Sequence, residues 1–290
     1  MYMEVNNCEF RNSANTFALS GKKALGHYNM SGNHLHDYYE LYYLVSGERY
    51  YFVKDRTFYI KTGDLVLIPP HELHKTTDTG VPGHERVLLH FTEDCMTPAG
   101  SSLRDVLNGL FFSGPSVIPL TFPAQDHLEY LLQKMLTEVE ERSIGFELAL
   151  QGFFLQLLVD ITRYQQYHRS DLRDTLEHPS QIHQKISEIV RYINQNYADT
   201  LTLSILSERF FISPYYLSRV FKETTGFTFV EYLSNVRIKE AQKLLRDSRW
   251  KVIQVAEKVG FGNIAHFGRV FKNITGKTPL QYRKQQTQIV

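Results

Sequence analysis

The stretch RVFKETTGFTFVEY at residues 219–232 recurs as RVFKNITGKTPLQY at residues 269–282, and this repeat decides the fold of the second half of the chain. In both copies the glycine suits the left-handed position that ends a helix. In the first copy Thr228 and Glu231 have the spacing of a capping box, which begins the next helix, and threonine and glutamine repeat it in the second copy. Each copy therefore predicts a short helix, a tight turn and a second, capped helix, which together form a helix-turn-helix unit.

The second helix of each unit has an inward and an outward stripe. In the first unit Leu217, Val220 and Phe221 recur at helical spacing and are predicted to pack inward. The outward side chains can donate hydrogen bonds, as a helix in the major groove of DNA must. The second unit is poorer in donors, so we expect the first to read more sequence and the second to add shape, methyl and phosphate contacts. The candidate DNA contacts are Ser213, Tyr215, Tyr216, Ser218, Arg219 and Lys222 in the first unit, and Asn263, Ile264, Ala265, His266, Gly268, Arg269 and Lys272 in the second.

The formal net charge of +1 hides two halves of opposite sign. Residues 184–290 hold 17 Lys and Arg against 8 Asp and Glu, whereas residues 1–183 hold 15 against 23. A strongly basic domain is a candidate for binding nucleic acid. All but one of the 12 histidines lie in the acidic half, which predicts a different partner for that half.

The sequence from LSERFFISPYYLSRVFK to GRVFKNITGKTPLQYR resembles the AraC/XylS family of bacterial transcription regulators, and the resemblance covers most of residues 184–290. It implies that EYLSNVRIKEAQKLLRD is one long helix that holds the two units apart, so that their recognition helices enter successive major grooves of double-stranded DNA. It also implies activation rather than repression, with RNA polymerase as a partner. Ala265 and His266 depart from the Ser-Tyr pair that is usual in the family, and Ser207 departs from the usual alanine.

From about residue 10 to residue 95 the sequence has the pattern of short strands. ELYYLVSGERYYFV and TFYIKTGDLVLIPP are rich in β-branched and aromatic residues and are punctuated by Gly, Pro and Asp. Such a series predicts a small barrel or sandwich. The predicted fold class is therefore α+β with two domains, a β-barrel in front and an all-α double helix-turn-helix behind.

GNHLHDYYELYYLVSG and GDLVLIPPHELH resemble the two motifs of the cupin β-barrel, although His71 stands where the second motif has a glycine. The resemblance places the family's metal ligands on His34, His36, Glu40 and His74. Three imidazoles and a carboxylate are a competent set for Zn²⁺, Fe²⁺, Ni²⁺ or Mn²⁺. On a strand the first three would share one face, and His74 would come from a paired strand.

Three interpretations of these residues stay open: an organic effector bound without metal, a bound divalent metal, and a purely structural role. A cupin-like barrel in front of an AraC-type domain resembles an effector sensor, often for a sugar, that requires no cofactor. Tyrosines on the same face could stack on a sugar ring. The candidate effector-binding residues are His34, His36, Tyr38, Glu40, Tyr42 and His74, and the candidate metal ligands are His34, His36, Glu40 and His74.

Two amphipathic helices are predicted after the strands, in DHLEYLLQKMLTEVEER and ELALQGFFLQLLVDITRY. They either cover the sheet or form the seam of a homodimer. The polar stretch HRSDLRDTLEHPS, which contains a proline, is predicted to be a linker. The predicted boundaries are 1–125 for the cupin-like domain, 126–168 for the helical linking and dimerisation region, 169–183 for the linker and 184–290 for the DNA-binding domain.

The sequence predicts a cytoplasmic transcription regulator controlled by a small molecule. No apolar run approaches the ~18 residues that a membrane span needs, and MYMEVNNCEF lacks the features of a secretory leader. Cys8 and Cys95 are too few for a disulfide framework, which favours a reducing compartment. The rival prediction is a metal-dependent cupin enzyme with a basic DNA-associating domain. A complete DNA-reading module argues against it, so no catalytic residue is predicted.

Overall fold

The computed structural model describes residues 3, 5–30, 36–95, 100–168 and 181–287. The chain divides into two compact units, residues 1–179 and residues 180–290. Among the residues described, the first unit contains all of the strands and the second contains helices alone. The predicted α+β fold class, with a β domain followed by an all-α domain, is confirmed.

The front unit is built on one antiparallel sheet of eight strands. The order is β1-β2-β7-β3-β5-β8, and β4 and β6 also pair with β3. The strand-like pattern before residue 95 is confirmed, whereas the short β8 was not predicted. The strands are β1 (Cys8–Arg11), β2 (Phe17–Ala24), β3 (Tyr39–Val53), β4 (Arg56–Lys61), β5 (Asp64–Ile68), β6 (His74–Thr77), β7 (His84–Phe91) and β8 (Val117–Pro119).

The long strand β3 gives the sheet its curvature. Its first half pairs with β5 and most of β7, and its second half pairs with β4 and β6. Between the halves, Gly47 has a φ of +94°, and a Cβ there would lie 2.8 Å from the carbonyl oxygen of Gly83. Only glycine satisfies both conditions, so the bend depends on it.

A β-bulge between Leu44 and Ser46 keeps the two halves of β3 facing the same interior. The extra residue shifts the alternation by one, so Tyr42 before the bulge and Tyr51 after it pack together, with ring centroids 5.2 Å apart. The apolar interior between the two halves consists of Tyr42, Leu44, Tyr51, Val53, Phe58, Ile60, Val66, Ile68 and Val117.

Helices α2 (Phe122–Glu141) and α3 (Phe146–Tyr167) cover the outer face of the sheet. Tyr39 and Tyr43 on β3 belong to the same core cluster as the buried faces of both helices. Both predicted helices are confirmed, but α2 begins at Phe122 rather than at 126 because Pro123 suits a first turn. Before them lie α1 (Gly100–Leu107) and a π-helical segment (Asn108–Ser113), neither of which was predicted.

The second compact unit, residues 180–290, contains two helix-turn-helix units, as the repeat predicted. The first and second units below are these two helix-turn-helix units. Residues 169–180 of the predicted linker lie outside the described residues. Residues 181–183, which were assigned to the linker, are helical instead. The helices are α4 (Gln181–Gln195), α5 (Leu203–Phe210), α6 (Pro214–Thr225), α7 (Phe229–Asp247), α8 (Val252–Lys258), α9 (Ile264–Thr275) and α10 (Pro279–Thr287).

The predicted caps are confirmed in both units. Gly226 and Gly276 end helices α6 and α9 in the left-handed region, with φ values of +82° and +72°. Thr228 and Glu231 form a capping box at the start of α7, with the backbone N–H of Thr228 donating to the Glu231 carboxylate over 2.8 Å. The equivalent pair before α10 repeats these bonds.

Helix α7 belongs to both helix-turn-helix units, as the resemblance implied. Near its start, Tyr232 packs edge-on against Phe221 of α6, with ring centroids 5.6 Å apart. Near its end, Ile238 and Leu245 lie in the core of the second unit with Phe271 of α9. Helix α7 is therefore one continuous helix whose start packs in the first helix-turn-helix unit and whose end packs in the core of the second.

Candidate nucleic-acid interface and barrel pocket

Helix α6 presents its predicted outward stripe to solvent. Its buried side chains include all those predicted to pack inward. The hydroxyl of Ser213 accepts a hydrogen bond from the backbone N–H of Tyr216, so this residue also caps the helix. The candidate contact residues of the first unit are all exposed: Ser213, Tyr215, Tyr216, Ser218, Arg219 and Lys222.

Arg219 is held at the centre of this stripe by an aromatic neighbour. Its guanidinium carbon lies 5.5 Å from the ring centroid of Tyr216, one helical turn earlier. Cation–π contacts at exposed sites contribute about 0.5–1 kcal/mol. The contact limits the conformations of Arg219 while leaving its donors free to face a base edge.

The outward stripe of α9 is poorer in hydrogen-bond donors. His266, which stands at the position of Tyr216, packs its ring edge-on against Phe261 at 5.7 Å. Asn263 caps the helix by accepting from the backbone N–H of His266 over 2.9 Å, a role the sequence analysis did not assign. Gly268 is half-buried, and the other candidate contacts are exposed: Asn263, Ile264, Ala265, His266, Arg269 and Lys272.

The interior of the front unit gathers imidazoles around one carboxylate, that of Glu40, which is 2% exposed. The Oε2 atom of Glu40 lies 3.0 Å from Nε2 of His90, 3.3 Å from Nε2 of His36 and 3.9 Å from Nε2 of His74. Its Oε1 atom accepts a hydrogen bond of 3.1 Å from the hydroxyl of Tyr51. The nearest ligand atoms of Glu40, His36 and His74 lie within 4.8 Å of one another.

Two of these imidazoles are oriented by backbone carbonyls. Nδ1 of His36 lies 2.9 Å from the carbonyl oxygen of Tyr38, and Nδ1 of His74 lies 2.9 Å from that of Glu72. A carbonyl can only accept, so each Nδ1 carries the proton, and in a neutral ring the lone pair is on Nε2. Both Nε2 atoms therefore face Glu40, which is the orientation that metal-ligating histidines adopt.

The charge state of the cluster follows from its burial. Burial alone would raise the pKa of Glu40, but the imidazoles of His36, His90 and His74 lower it well below its usual range. Burial and the nearby charge of Glu40 raise the pKa of Tyr51 well above its ordinary value. The carboxyl is therefore ionised, and the Tyr51 hydroxyl stays protonated and donates to it.

The structure assembles this cluster differently from the sequence prediction. His34 lies outside the described residues. The prediction that His36 and Glu40 lie on one strand is wrong, because β3 begins at Tyr39. His36 still reaches Glu40, since its backbone carbonyl accepts a hydrogen bond of 2.7 Å from the N–H of His71.

His90 is the member that the sequence analysis missed. It lies on β7 directly opposite Glu40 on β3, fifty residues later in the chain. Tyr38 stacks on the ring of His36 at 3.9 Å and lies 4.6 Å from the ring of His90, so it covers one side of the cluster. Tyr42 is wholly buried in the interior.

A cleft with a volume of about 430 Å³ leads to this cluster. Its walls include His90 and Arg86 of β7, Lys22 of β2, and Glu9 and Arg11 of β1. His90 belongs both to the cluster and to the wall, so a molecule in the cleft could reach the imidazoles.

Each half of the chain matches a family model. Residues 24–158 match the AraC-like ligand binding domain, and residues 206–285 match a helix-turn-helix domain. The chain belongs to the AraC family of transcription regulators. The rival prediction of a metal-dependent cupin enzyme is therefore wrong, and this AraC-family protein pairs a ligand-binding domain with a DNA-binding domain.

Relatives of this AraC-family chain include proteins matched over its back half and others matched over most of its length. It is 39% identical over 103 residues to the uncharacterized HTH-type transcriptional regulator YijO of Escherichia coli (strain K12), a match that covers 35% of this chain and 36% of YijO. It is 27% identical over 236 residues to the uncharacterized regulator YbfI of Bacillus subtilis (strain 168), covering 81% and 80% of the two chains. It is 23% identical over 257 residues to the HTH-type transcriptional activator RhaS of Escherichia fergusonii, covering 87% of each. Among the described helices, none is long and apolar enough to cross a bilayer.

Proposed function

We propose that this protein activates transcription in the cytoplasm when a small molecule binds in its front barrel. The observation that carries the proposal is the Glu40 cluster, where three imidazoles surround one carboxylate and one of them, that of His90, also lines an open cleft. Buried polar groups need a ligand, a cation or one another as partners. The name of the relative RhaS, a transcriptional activator, favours activation, and activation requires RNA polymerase as a partner.

The DNA contacts are proposed to come from the exposed stripes of α6 and α9. Residues 184–290 carry 17 Lys and Arg against 8 Asp and Glu, which suits a polyanionic partner. Arg219 and Lys222 lie one turn apart on the first stripe, and Arg269 and Lys272 repeat them on the second. We expect α6 to contact base edges and α9 to contribute more to the phosphate backbone.

The effector is proposed to bind between the cleft and the Glu40 cluster, with a carbohydrate as the favoured class. Tyr38 offers an aromatic face next to the cluster, and sugar rings stack on such faces. Glu40 and the imidazoles of His36, His74 and His90 could bind hydroxyl groups. Tyr42 would line the interior rather than stack, because it is wholly buried.

A divalent transition metal is a second proposed occupant of this site. The Nε2 atom of His36 is buried, faces a carboxylate oxygen 3.3 Å away, and forms no aligned hydrogen bond with any described residue. A lone pair facing a carboxylate is repulsive unless a proton or a cation lies between them. The residues fit a metal, with Nε2 of His36, Nε2 of His74 and a carboxylate oxygen of Glu40 as ligands and His90 beside them.

Metal content distinguishes these occupants. Elemental analysis of the full chain, purified without chelator, should find a stoichiometric divalent metal that Glu40→Gln removes. The exposed His27, whose ring binds Asp78 elsewhere in the barrel, offers the control variant His27→Ala, which should keep the metal. A metal-free wild-type protein that still responds to its effector would show that the cluster binds the organic molecule alone.

A homodimer is proposed to form through the solvent-facing side of α3. That side exposes Leu148 and Leu155, which are 73% and 38% accessible and lie two turns apart. Exposed apolar side chains in a row favour an interface between proteins. Light scattering of the full chain should give the mass of a dimer, and Leu148→Asp should give that of a monomer.

The proposed function is tested with a double variant of the full chain. A thermal-shift screen against sugars and metals first identifies a molecule that stabilises the wild type and changes its transcription from a selected promoter. Glu40→Gln combined with His74→Ala should then keep DNA affinity and lose that response. Glu48→Gln, at a half-buried acidic residue further along the same strand, should keep both. A double variant that responds fully would show that sensing takes place elsewhere.

A further inference from the structure

The charge of a buried guanidinium group in the front barrel is neutralised by no residue that the structure describes. Arg86 on β7 is 6% exposed. Its Nε and Nη1 atoms are buried and have no hydrogen-bond partner among the described residues. No carboxylate in the described part of the chain forms an ion pair with Arg86. Buried charges in proteins are normally paired, so this group requires an explanation.

The neighbouring Arg49 is also buried, but it has hydrogen-bond acceptors and a carboxylate partner. Its Nε atom donates to the hydroxyl of Thr76 over 3.2 Å, and an Nη atom donates to the carbonyl of Tyr28. Its other Nη atom lies 3.6 Å from the carboxylate of Asp78. The barrel therefore provides acceptors for one of its two buried arginines and leaves donors of the other unpaired.

The partners that Arg86 does have are aromatic rings shared with other cations. Its guanidinium carbon lies 5.4 Å from the ring centroid of Tyr28 and 5.8 Å from that of Tyr42. The amino group of Lys22 and the guanidinium of Arg49 lie 5.5 Å and 5.9 Å from the same Tyr28 ring. Three cations around one ring produce a positive potential that the ring itself does not neutralise.

Two further buried groups, His84 and Tyr42, lie close to these cations. Burial, together with the charges of Arg49 and Arg86, lowers the pKa of His84 to about 4. The hydroxyl of Tyr42 is buried close to the Arg86 guanidinium and forms no aligned hydrogen bond with any described residue. A neutral imidazole and a buried hydroxyl beside the guanidinium leave this end of the interior rich in donors.

Arg86 itself lines the cleft already described, and its buried donors lie behind that wall. Arg86 and Lys22 lie directly opposite each other on β7 and β2, and both line the cleft. His90 lines it four residues further along β7, on the same face and roughly 13 Å away along the strand. Of the charged side chains on the cleft wall, Arg11, Lys22 and Arg86 are cationic, and Glu9 alone is anionic.

We infer that the effector carries an anionic group, a carboxylate or a phosphate, that binds to Arg86 and Lys22 while the rest of the molecule extends toward His90. The inference rests on the proposed function, because it narrows the class of molecule that the barrel senses. Arginine binds carboxylate and phosphate through paired hydrogen bonds, which would satisfy the donors that the barrel leaves unpaired. A sugar acid or a sugar phosphate fits both ends of the cleft, and a neutral sugar fits only one.

The test measures binding to the full chain at constant ionic strength. The probes are neutral monosaccharides, each paired with its uronic acid and its phosphate ester, together with acetate and inorganic phosphate alone. Acetate or inorganic phosphate should raise the melting temperature above that in chloride. Within a pair that binds, the acid or the ester should bind roughly tenfold or more tightly than the neutral sugar, and which of the two does so separates carboxylate from phosphate.

Variants assign the effect to the site. Lys22→Gln should reduce anion binding, whereas Lys23→Gln should not, because the adjacent Lys23 points to the other face and pairs with Glu85. Arg86→Gln should abolish anion binding. Without ligand its melting temperature should equal or exceed that of the wild type, because an uncompensated charge is removed.

Several results would overturn the inference. One is that no anionic probe binds, and another is that anions bind equally well to the Lys22→Gln variant. A third is that Arg86→Gln melts below the wild type without ligand and still binds an anionic probe with unchanged affinity. In that last case effector control of DNA binding would persist, so the proposed function would stand while the anion site would not. Loss of DNA binding or of all effector response in the wild type would count against the proposed function instead.

Discussion

Helices α6 and α9 share one buried phenylalanine position and the glycine that ends them, and they present different surfaces to solvent. Phe221 and Phe271 are both wholly buried, and the glycines that end the two helices have nearly the same left-handed conformation. The outward positions differ, with Tyr215 and Ser218 on α6 where α9 has Ala265 and Gly268. The repeat therefore preserves what the fold requires and varies what a partner would contact.

The two units also differ in the turn that precedes each of these helices. In the first unit the left-handed residue is Phe211, with a φ of +54°, and its side chain is 95% exposed. In the second unit it is Gly260, with a φ of +88°, one position earlier in the register of the repeat. A Cβ on Gly260 would lie 2.6 Å from the carbonyl oxygen of Ala198, so this turn needs glycine. The backbone conformation therefore differs between the two units just before the repeated stretch.

The largest effect on stability is expected from truncating the matched buried phenylalanines of the two helices. Phe221→Ala and Phe271→Ala should each lower the free energy of unfolding by about 3–5 kcal/mol, because each removes a fully buried ring. Urea unfolding followed by fluorescence of Trp250, the single tryptophan, would measure this in the second half of the chain. Costs that differ by more than twofold would contradict the view that the two cores are equivalent.

The next largest effect is expected at the turn of the second unit. Gly260→Ala should lower the free energy of unfolding by about 2–4 kcal/mol, since it combines left-handed strain with a clash against backbone. Gly268→Ala is the matched control, because nothing lies within 4 Å of a Cβ at that helical position. It should stabilise α9 by roughly 0.5–1 kcal/mol. An equal loss in both variants would remove the special role assigned to this turn.

Arginine substitutions on the exposed stripes should separate the two units in DNA binding. Arg219→Ala should weaken binding to a selected site by about 1–3 kcal/mol and relax specificity at one base pair. Arg269→Ala should weaken binding more uniformly across sequences and reduce the salt dependence of affinity. Titrations of both variants against matched and scrambled DNA would measure this. A loss of specificity confined to Arg269→Ala would reverse the assignment.

The smallest effect is expected from restoring a donor on α9. Ala265→Ser introduces the hydroxyl that is usual in the family at an exposed position and should change DNA affinity by less than about 0.5 kcal/mol. Ser218→Ala removes a hydroxyl from the exposed stripe of α6, and it should cost more. A gain above tenfold for Ala265→Ser would show that the second unit already reads bases closely.

Features set by neighbours in sequence could be predicted, and features set by pairing across the sheet could not. The capping box at Thr228 and the helix end at Gly226 depend on a few adjacent residues and were read directly. His90 reaches Glu40 through the register between β3 and β7, which also depends on a bulge that no short motif indicates. His36 was assigned to the right cluster through the motif, although it lies in the segment before β3. The two donors of Arg86 that lack a partner among the described residues depend on the packing of its neighbours, which no local motif indicates.

The central claim is that this chain reads DNA with two unequal helix-turn-helix units, and selection from random DNA by the full chain tests it most directly. Two unequal units should give a recovered motif in two parts, centred one helical turn or ~10 base pairs apart, with more sequence information in one part. Arg219→Ala should erase information from that richer part only. Recovery of no motif above non-specific binding, or loss of information from the poorer part in Arg219→Ala, would contradict the account.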